Sequence, residues 1–233
     1  AKLQDLKTAT MNELLTKGIG HTEFRESELG LIPTTWEIKT LNDIVNQVCV
    51  GFVGSCESFY REKGVPLIRT TNIQRGNLDL EEVKFVTKEF HLKQSKSQLK
   101  PGDIVVARHG DFGKASVVPS FLHEANCLNA VIIKNDSAKV ESYFIVSLFN
   151  SQRYRSYFEK RAEGSTQKVV STTEIAALKI PFPPLVEQEK IADILTSLDD
   201  QIESVELKLV QLESLKKSLM GDLLTGRARV SVD

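Results

Sequence analysis

The chain has 233 residues, 41% hydrophobic and 26% charged, with 30 Lys and Arg against 31 Asp and Glu. That composition fits a soluble globular protein of one or two domains, and no apolar run nears the ~18–20 residues of a membrane-spanning helix. A net charge of −1 gives no global sign of nucleic-acid binding, though residues 36–184 hold 20 Lys and Arg against 16 Asp and Glu, and residues 185–233 hold 6 against 10. No signal-peptide pattern opens the chain. Cys49, Cys56 and Cys127 lack metal-ligand spacing and read as free core thiols of a cytoplasmic protein.

Residues 2–17 predict a helix. Aligned with residues 212–225, residues 3–16 show seven identities: Leu3, Leu6, Lys7, Met11, Leu14, Leu15 and Thr16 face Leu212, Leu215, Lys216, Met220, Leu223, Leu224 and Thr225. Leucine content alone does not explain the shared Lys, Met and Thr, so the ends read as a repeat with a period of 209 residues. Residues 1–18 are then the end of a preceding helix, and a start in mid-helix suggests a fragment. Gly18, Gly20, Gly30 and Pro33 break the pattern, which makes 19–35 a linker.

Residues 36–184 form one domain of mixed α/β (α+β) character. Strands are predicted at 66–69, 82–86, 103–107, 115–118 and 129–133, and helices at 142–149 and 153–161, with no regular βαβ alternation. Residues 185–226 then make one long helix, followed by a tail at 227–233. Its apolar residues fall at Ile191, Leu195, Leu198, Ile202, Val205, Leu209, Leu212, Leu219 and Leu223, with Lys216 interrupting the series. Alternating steps of four and three are a coiled-coil seam. The rod, ~60 Å long at ~1.5 Å per residue, calls for a partner helix.

No catalytic motif survives inspection. The loop Gly110-Asp111-Phe112-Gly113-Lys114 is too short between its glycines for a phosphate-binding P-loop, and it lacks the other elements of a kinase. No cofactor loop and no metal-ligand spacing among His21, His91, His109 and His123 is found, so no catalytic residue, metal or cofactor is expected. Three turn-rich stretches suit nucleic acid instead. The first supplies Arg69, Thr70, Asn72 and Arg75, the second Arg108 and Lys114, and the third Thr166, Gln167 and Lys168. Arg and Asn can pair with base edges, while Lys and Thr serve phosphates.

At this point the sequence resembles the specificity subunit of type I restriction–modification enzymes. The resemblance rests on Gly164-Ser165-Thr166-Gln167, Ile175, Leu178, Ile180, Pro183-Pro184-Leu185, Glu187-Gln188 and Ile191-Ala192. It extends to Glu28-Leu29-Gly30, Ile32-Pro33, Trp36-Glu37, the 69–73 strand end, and Gly102-Asp103-Ile104 leading to Arg108 and Gly110. It implies that 36–184 is a target recognition domain reading one half of a bipartite target in double-stranded DNA. The long helix becomes an antiparallel coiled-coil spacer. Modification subunits would bring S-adenosylmethionine and methylate adenine, and restriction subunits would hydrolyse ATP and cut. A half-subunit on its own is expected to form a homodimer. A coiled-coil scaffold with a protein-binding α/β head is the alternative; a self-contained methyltransferase lacks its cofactor motif.

Overall fold

A computed structural model of the chain describes residues 2–135, 138–163 and 169–224, without the side chains of 162–163 and 222–224. Helix α1 (Lys2–Lys17) leads into a small antiparallel hairpin, β1 (Phe24–Arg25) with β2 (Ile32–Pro33), inside the segment expected to be a plain linker. The body follows: β3 (Glu37–Thr40), α2 (Leu41–Ile44), β4 (Gln47–Val50), β5 (Tyr60–Arg61), β6 (Val65–Arg69), β7 (Lys84–Val86) and α3 (Lys88–Lys93). Next come β8 (Gln98–Leu99), β9 (Ile104–Val106), β10 (Ala115–Val117), β11 (Ala125–Leu128), β12 (Val131–Lys134), α4 (Ser142–Asn150), α5 (Gln152–Glu163) and α6 (Thr172–Ala176). Strand β13 (Lys179–Phe182) and helix α7 (Leu185–Leu224) close the chain.

Two sheets carry the body. One has the order β10-β9-β12-β4, antiparallel throughout; the other runs β5-β7-β6-β11-β8, with β6 and β11 parallel. The pleat of the first sheet explains why two cores form. Ile104, Val106, Val131 and Ile133 point to one face, where α4, α5, α6 and the start of α7 pack. Val105 and Ile132 point to the other, against Ile68, Leu99, Ala125 and Cys127 of the second sheet. Side chains alternate faces along a strand, so three consecutive apolar residues serve both cores at once. Each large aliphatic buried this way contributes about 1.5–3 kcal/mol. A third cluster, Leu67, Val86 and Phe90, covers the far side of the second sheet.

The three cysteines are free and buried, as expected, and burial pushes the Cys127 thiol up to about 12. Asn126 in β11 is fully buried with both amide ends engaged, by His91 Nδ1 at 2.6 Å and Ser97 Oγ at 2.8 Å.

Entry and exit of the body lie side by side, because β13 pairs antiparallel with β3. At this neck Glu187 in the first turn of α7 accepts three hydrogen bonds. They come from the Ile19 amide (3.0 Å), Trp36 Nε1 (3.0 Å) and His21 Nε2 (2.8 Å). Gly18 is required beside it: φ is +67°, and an added Cβ would lie 2.4 Å from Glu187 Oε1 and 2.7 Å from the Trp36 ring. Gln188, also buried, donates to the Pro183 carbonyl and accepts from the Glu141 amide.

Helix α1 runs antiparallel along the first turns of α7. Gly18 meets Glu187 at one end, and Lys7 pairs with Asp199 at the other. The seam therefore has a partner within the chain, but a short one. Ile191 and Leu195 are buried and Leu198 and Ile202 half-buried, whereas Val205, Leu209, Leu212 and Leu219 are about half exposed or more, at 49%, 55%, 62% and 51%. The side chain of Leu223 lies outside the described residues.

Candidate nucleic-acid interface

The first stretch starts where β6 ends. Residues 70–72 make a 3-10 turn, and Asn72 is buried in it, its Oδ1 accepting from the Arg69 amide (3.0 Å) and its Nδ2 donating to the Asp79 carbonyl (3.0 Å). The Asn72 side chain shapes the turn and has no free edge to offer a base. Arg69 donates through Nη2 to the Glu82 carbonyl (2.9 Å), and the Thr70 hydroxyl donates to the Asn129 carbonyl (3.4 Å). Beyond Ile73 a tight turn carries Gln74 and Arg75. Ser116 of β10 pins it, with its hydroxyl within 2.6 Å of the Gln74 and Asn77 carbonyl oxygens.

The second stretch is the loop between β9 and β10. Gly110 and Gly113 both have φ of +74°, and a Cβ on Gly113 would come 2.1 Å from the Phe158 ring of α5. Only glycine lets the loop lie flat on that helix. Asp111 forms an ion pair with Arg75, and Lys114 Nζ lies 3.5 Å from Gln74 Oε1, so the first two stretches are joined. Arg108 joins the second to the flank of the third: its Nε donates to the Val170 carbonyl (3.3 Å), and its own carbonyl accepts from the Val170 amide (3.3 Å). The third stretch begins at Arg161, paired with Glu174 of α6 at 2.7 Å. Thr166, Gln167 and Lys168 lie outside the described residues. The first two stretches, far apart in sequence, are thus joined, and Arg108 ties the second to Val170, just past the third. Among the described residues, no group of three His, Cys, Asp or Glu side chains is placed to hold a metal ion.

The model of the type I restriction modification DNA specificity domain matches residues 33–214. The chain belongs to the type I restriction–modification specificity family. It is 31% identical to the MjaVIII specificity subunit of Methanocaldococcus jannaschii, over 98% of this chain and 55% of that protein. To the EcoKI specificity subunit of Escherichia coli it is 26% identical, over 84% of this chain and 43% of the other. The HsdS subunit of Thermoanaerobacter tengcongensis shares the fold at a TM-score of 0.60 and 14% identity, over 95% of this chain and 50% of that one. The chain thus spans about half the length of the relatives it matches.

In this specificity-family chain, several of the residues that carried the resemblance hold the frame together. Glu187 and Gln188 clamp the neck, Ile32 and Trp36 are buried there, and Asp103 accepts from the Lys100 amide (2.9 Å) and Lys134 (3.0 Å). Conversely, the sequence reading missed Arg155. It lies on α5 within electrostatic reach of Arg75: burial lowers the proton affinity of that guanidinium most, Asp111 opposes this, and Arg155 adds to it. The signal was available in α5 itself, which carries Arg153, Arg155, Lys160 and Arg161 within twelve residues.

Proposed function

We propose that this chain is a DNA sequence reader of a type I restriction–modification system, reading one half of a bipartite target with the body between β3 and β13. The observation that carries it is the joining of the first two stretches, with Arg108 reaching the flank of the third, in a chain of this family. Lys114 and Lys168 meet phosphates in this reading; Arg69 and Arg108 are the candidates to reach base edges, with Arg75, Thr70, Thr166 and Gln167 as neighbouring donors. Asn72 supports them from inside the turn. The chain itself performs no chemistry, which falls to the modification and restriction subunits it recruits, in the cytoplasm. A protein-binding scaffold is the weaker reading, since it gives no reason for the donor-rich turns at 69–75 and 108–114 to be joined in a chain of this family.

The helices set the distance between halves. Half-sites of two-fold readers lie ~34 Å apart, within reach of a ~60 Å rod. The repeat assigns the register. Lys216 is the counterpart of Lys7, which pairs here with Asp199, so the outer part of α7 suits the first turns of another helix of its kind. A chain supplied without that helix is expected to dimerise through its outer seam. Pairing Lys216 with Asp199 of a second copy requires α1 to give way; a shifted register that joins only the outer seams leaves α1 in place.

The test is methylation-site mapping with the modification subunits present. A bipartite motif with one half that changes when Arg69 or Arg108 is replaced supports the reading. Methylation without sequence preference contradicts it.

A further inference from the structure

Arg75 and Arg155 share an unusual condition. Arg75 Nη1 and Arg155 Nε, like Arg69 Nε at the end of β6, are shielded from solvent and have no hydrogen-bond acceptor among the described residues; Arg155 lies one turn of α5 from Phe158, on which the Asp111 loop packs. A buried N–H left unpaired costs about 1–3 kcal/mol, more on a charged group, and two like charges within electrostatic reach add repulsion. Asp111 answers part of this through Arg75 Nη2, and Glu159 one turn along α5 contributes at longer range. Neither acceptor reaches the two orphaned N–H groups. Once the two side chains turn outward, an oxyanion with several acceptor oxygens completes such a pair, because guanidinium forks match phosphate geometry. The Arg75–Asp111 pair is reached from solvent, with Asp111 about half exposed, and Lys114 touches the neighbouring Gln74.

We propose that Arg75 and Arg155 form a two-guanidinium seat for a phosphate of the DNA backbone, with Asp111 holding Arg75 in place until the phosphate displaces it. The seat rests on the DNA-reading function proposed above and adds a residue, Arg155, and a role for an acidic side chain. Asp111 then acts against DNA, by repelling the phosphate and competing for Arg75.

The test uses the full chain assembled with its modification subunits and a labelled duplex of random sequence, titrated at several chloride concentrations. Arg155→Gln and Arg75→Gln should each weaken binding several-fold and lower the slope of log affinity against log salt by about one. Arg155→Lys, which keeps the charge, should retain most of that slope. Asp111→Asn should tighten binding. A purely structural role predicts the opposite for this last variant, since Arg75 loses its partner, so the sign separates the two. Inorganic phosphate at constant ionic strength is a second arm. If it stabilises the parent protein and not Arg155→Gln, while duplex binding is equal in both, the seat takes a free anion and the proposal falls. If the parent binds duplex with a salt slope and none of the variants alters it, the seat is wrong while the reading function stands. If the assembled complex shows no salt-dependent duplex binding, both fail together.

Discussion

The inner and outer parts of α7 carry the same apolar repeat and meet opposite surroundings. Ile191 and Leu195 disappear beneath α1, α4 and the body, while Val205, Leu209, Leu212 and Leu219 face solvent on a helix that continues well past the end of α1. Composition does not separate the two parts. The difference is what lies opposite. An apolar seam is a stabilising element where a partner covers it and an unfilled interface where none does.

Substitutions should divide along that line. The largest effect is expected inside: Leu195→Ala should cost the chain about 2–5 kcal/mol of stability, read by urea denaturation. Leu209→Ala should stay within about 0.5 kcal/mol in the same assay run at a concentration below the dimerisation range, because more than half of that side chain is exposed in the single chain. A comparable loss at both positions would mean that the outer seam is already covered.

Next in size is the neck, which joins the inner helix to the body. Gly18→Ala places a Cβ against Glu187 and Trp36 at a positive φ, and should cost roughly 1–3 kcal/mol. The thermal midpoint measures it, and an unchanged midpoint would show that the clamp is slack. Lys7→Ala, at the open end of the α1–α7 contact, should cost less than about 1 kcal/mol, because Asp199 is about half exposed and solvent screens the pair.

The smallest effect depends on pH. Burial pushes the Glu141 carboxyl above its ordinary range, Asp193 and Glu189 of inner α7 add to this, and the Phe144 and Tyr143 amides oppose it. The folded chain therefore holds this proton more tightly than the unfolded chain. The charged carboxylate weakens the fold above the folded pKa, and that penalty fades as pH falls below the unfolded value of about 4.3. Glu141→Gln keeps an acceptor for the α4 cap and should raise the denaturation midpoint at neutral pH, with the gain vanishing in acid. A gain that persists in acid would assign it to something other than charge.

The same contrast bears on what the sequence discloses. The long helix, α1 and the strands β6, β7, β9, β10 and β12 are legible because apolar runs and repeats reveal them. Strand β11 escapes because it carries Asn126, whose buried partners come from elsewhere in the chain, and β13 because Pro181 reads as a break. The hairpin β1–β2 is too short to leave a pattern. At the candidate interface, donor-rich turns mark the place, but not which donors are free. Asn72 has the chemistry of a base reader and is consumed by its own turn, while Arg155 looks like an ordinary helix cation until the fold sets it within electrostatic reach of Arg75. Glu187 suits a helix N-terminus by charge, and its three partners come from residues 19, 21 and 36. Periodicity records which face is apolar; it does not record which distant group arrives to meet it.

Sedimentation velocity on the chain alone, at micromolar concentration, tests the outer seam most directly. The account predicts a dimer that Val205→Asp combined with Leu209→Asp converts to a monomer, with the urea midpoint of the monomer matching that of an unsubstituted chain diluted below its dimerisation range. An unsubstituted chain that sediments as a monomer would contradict it.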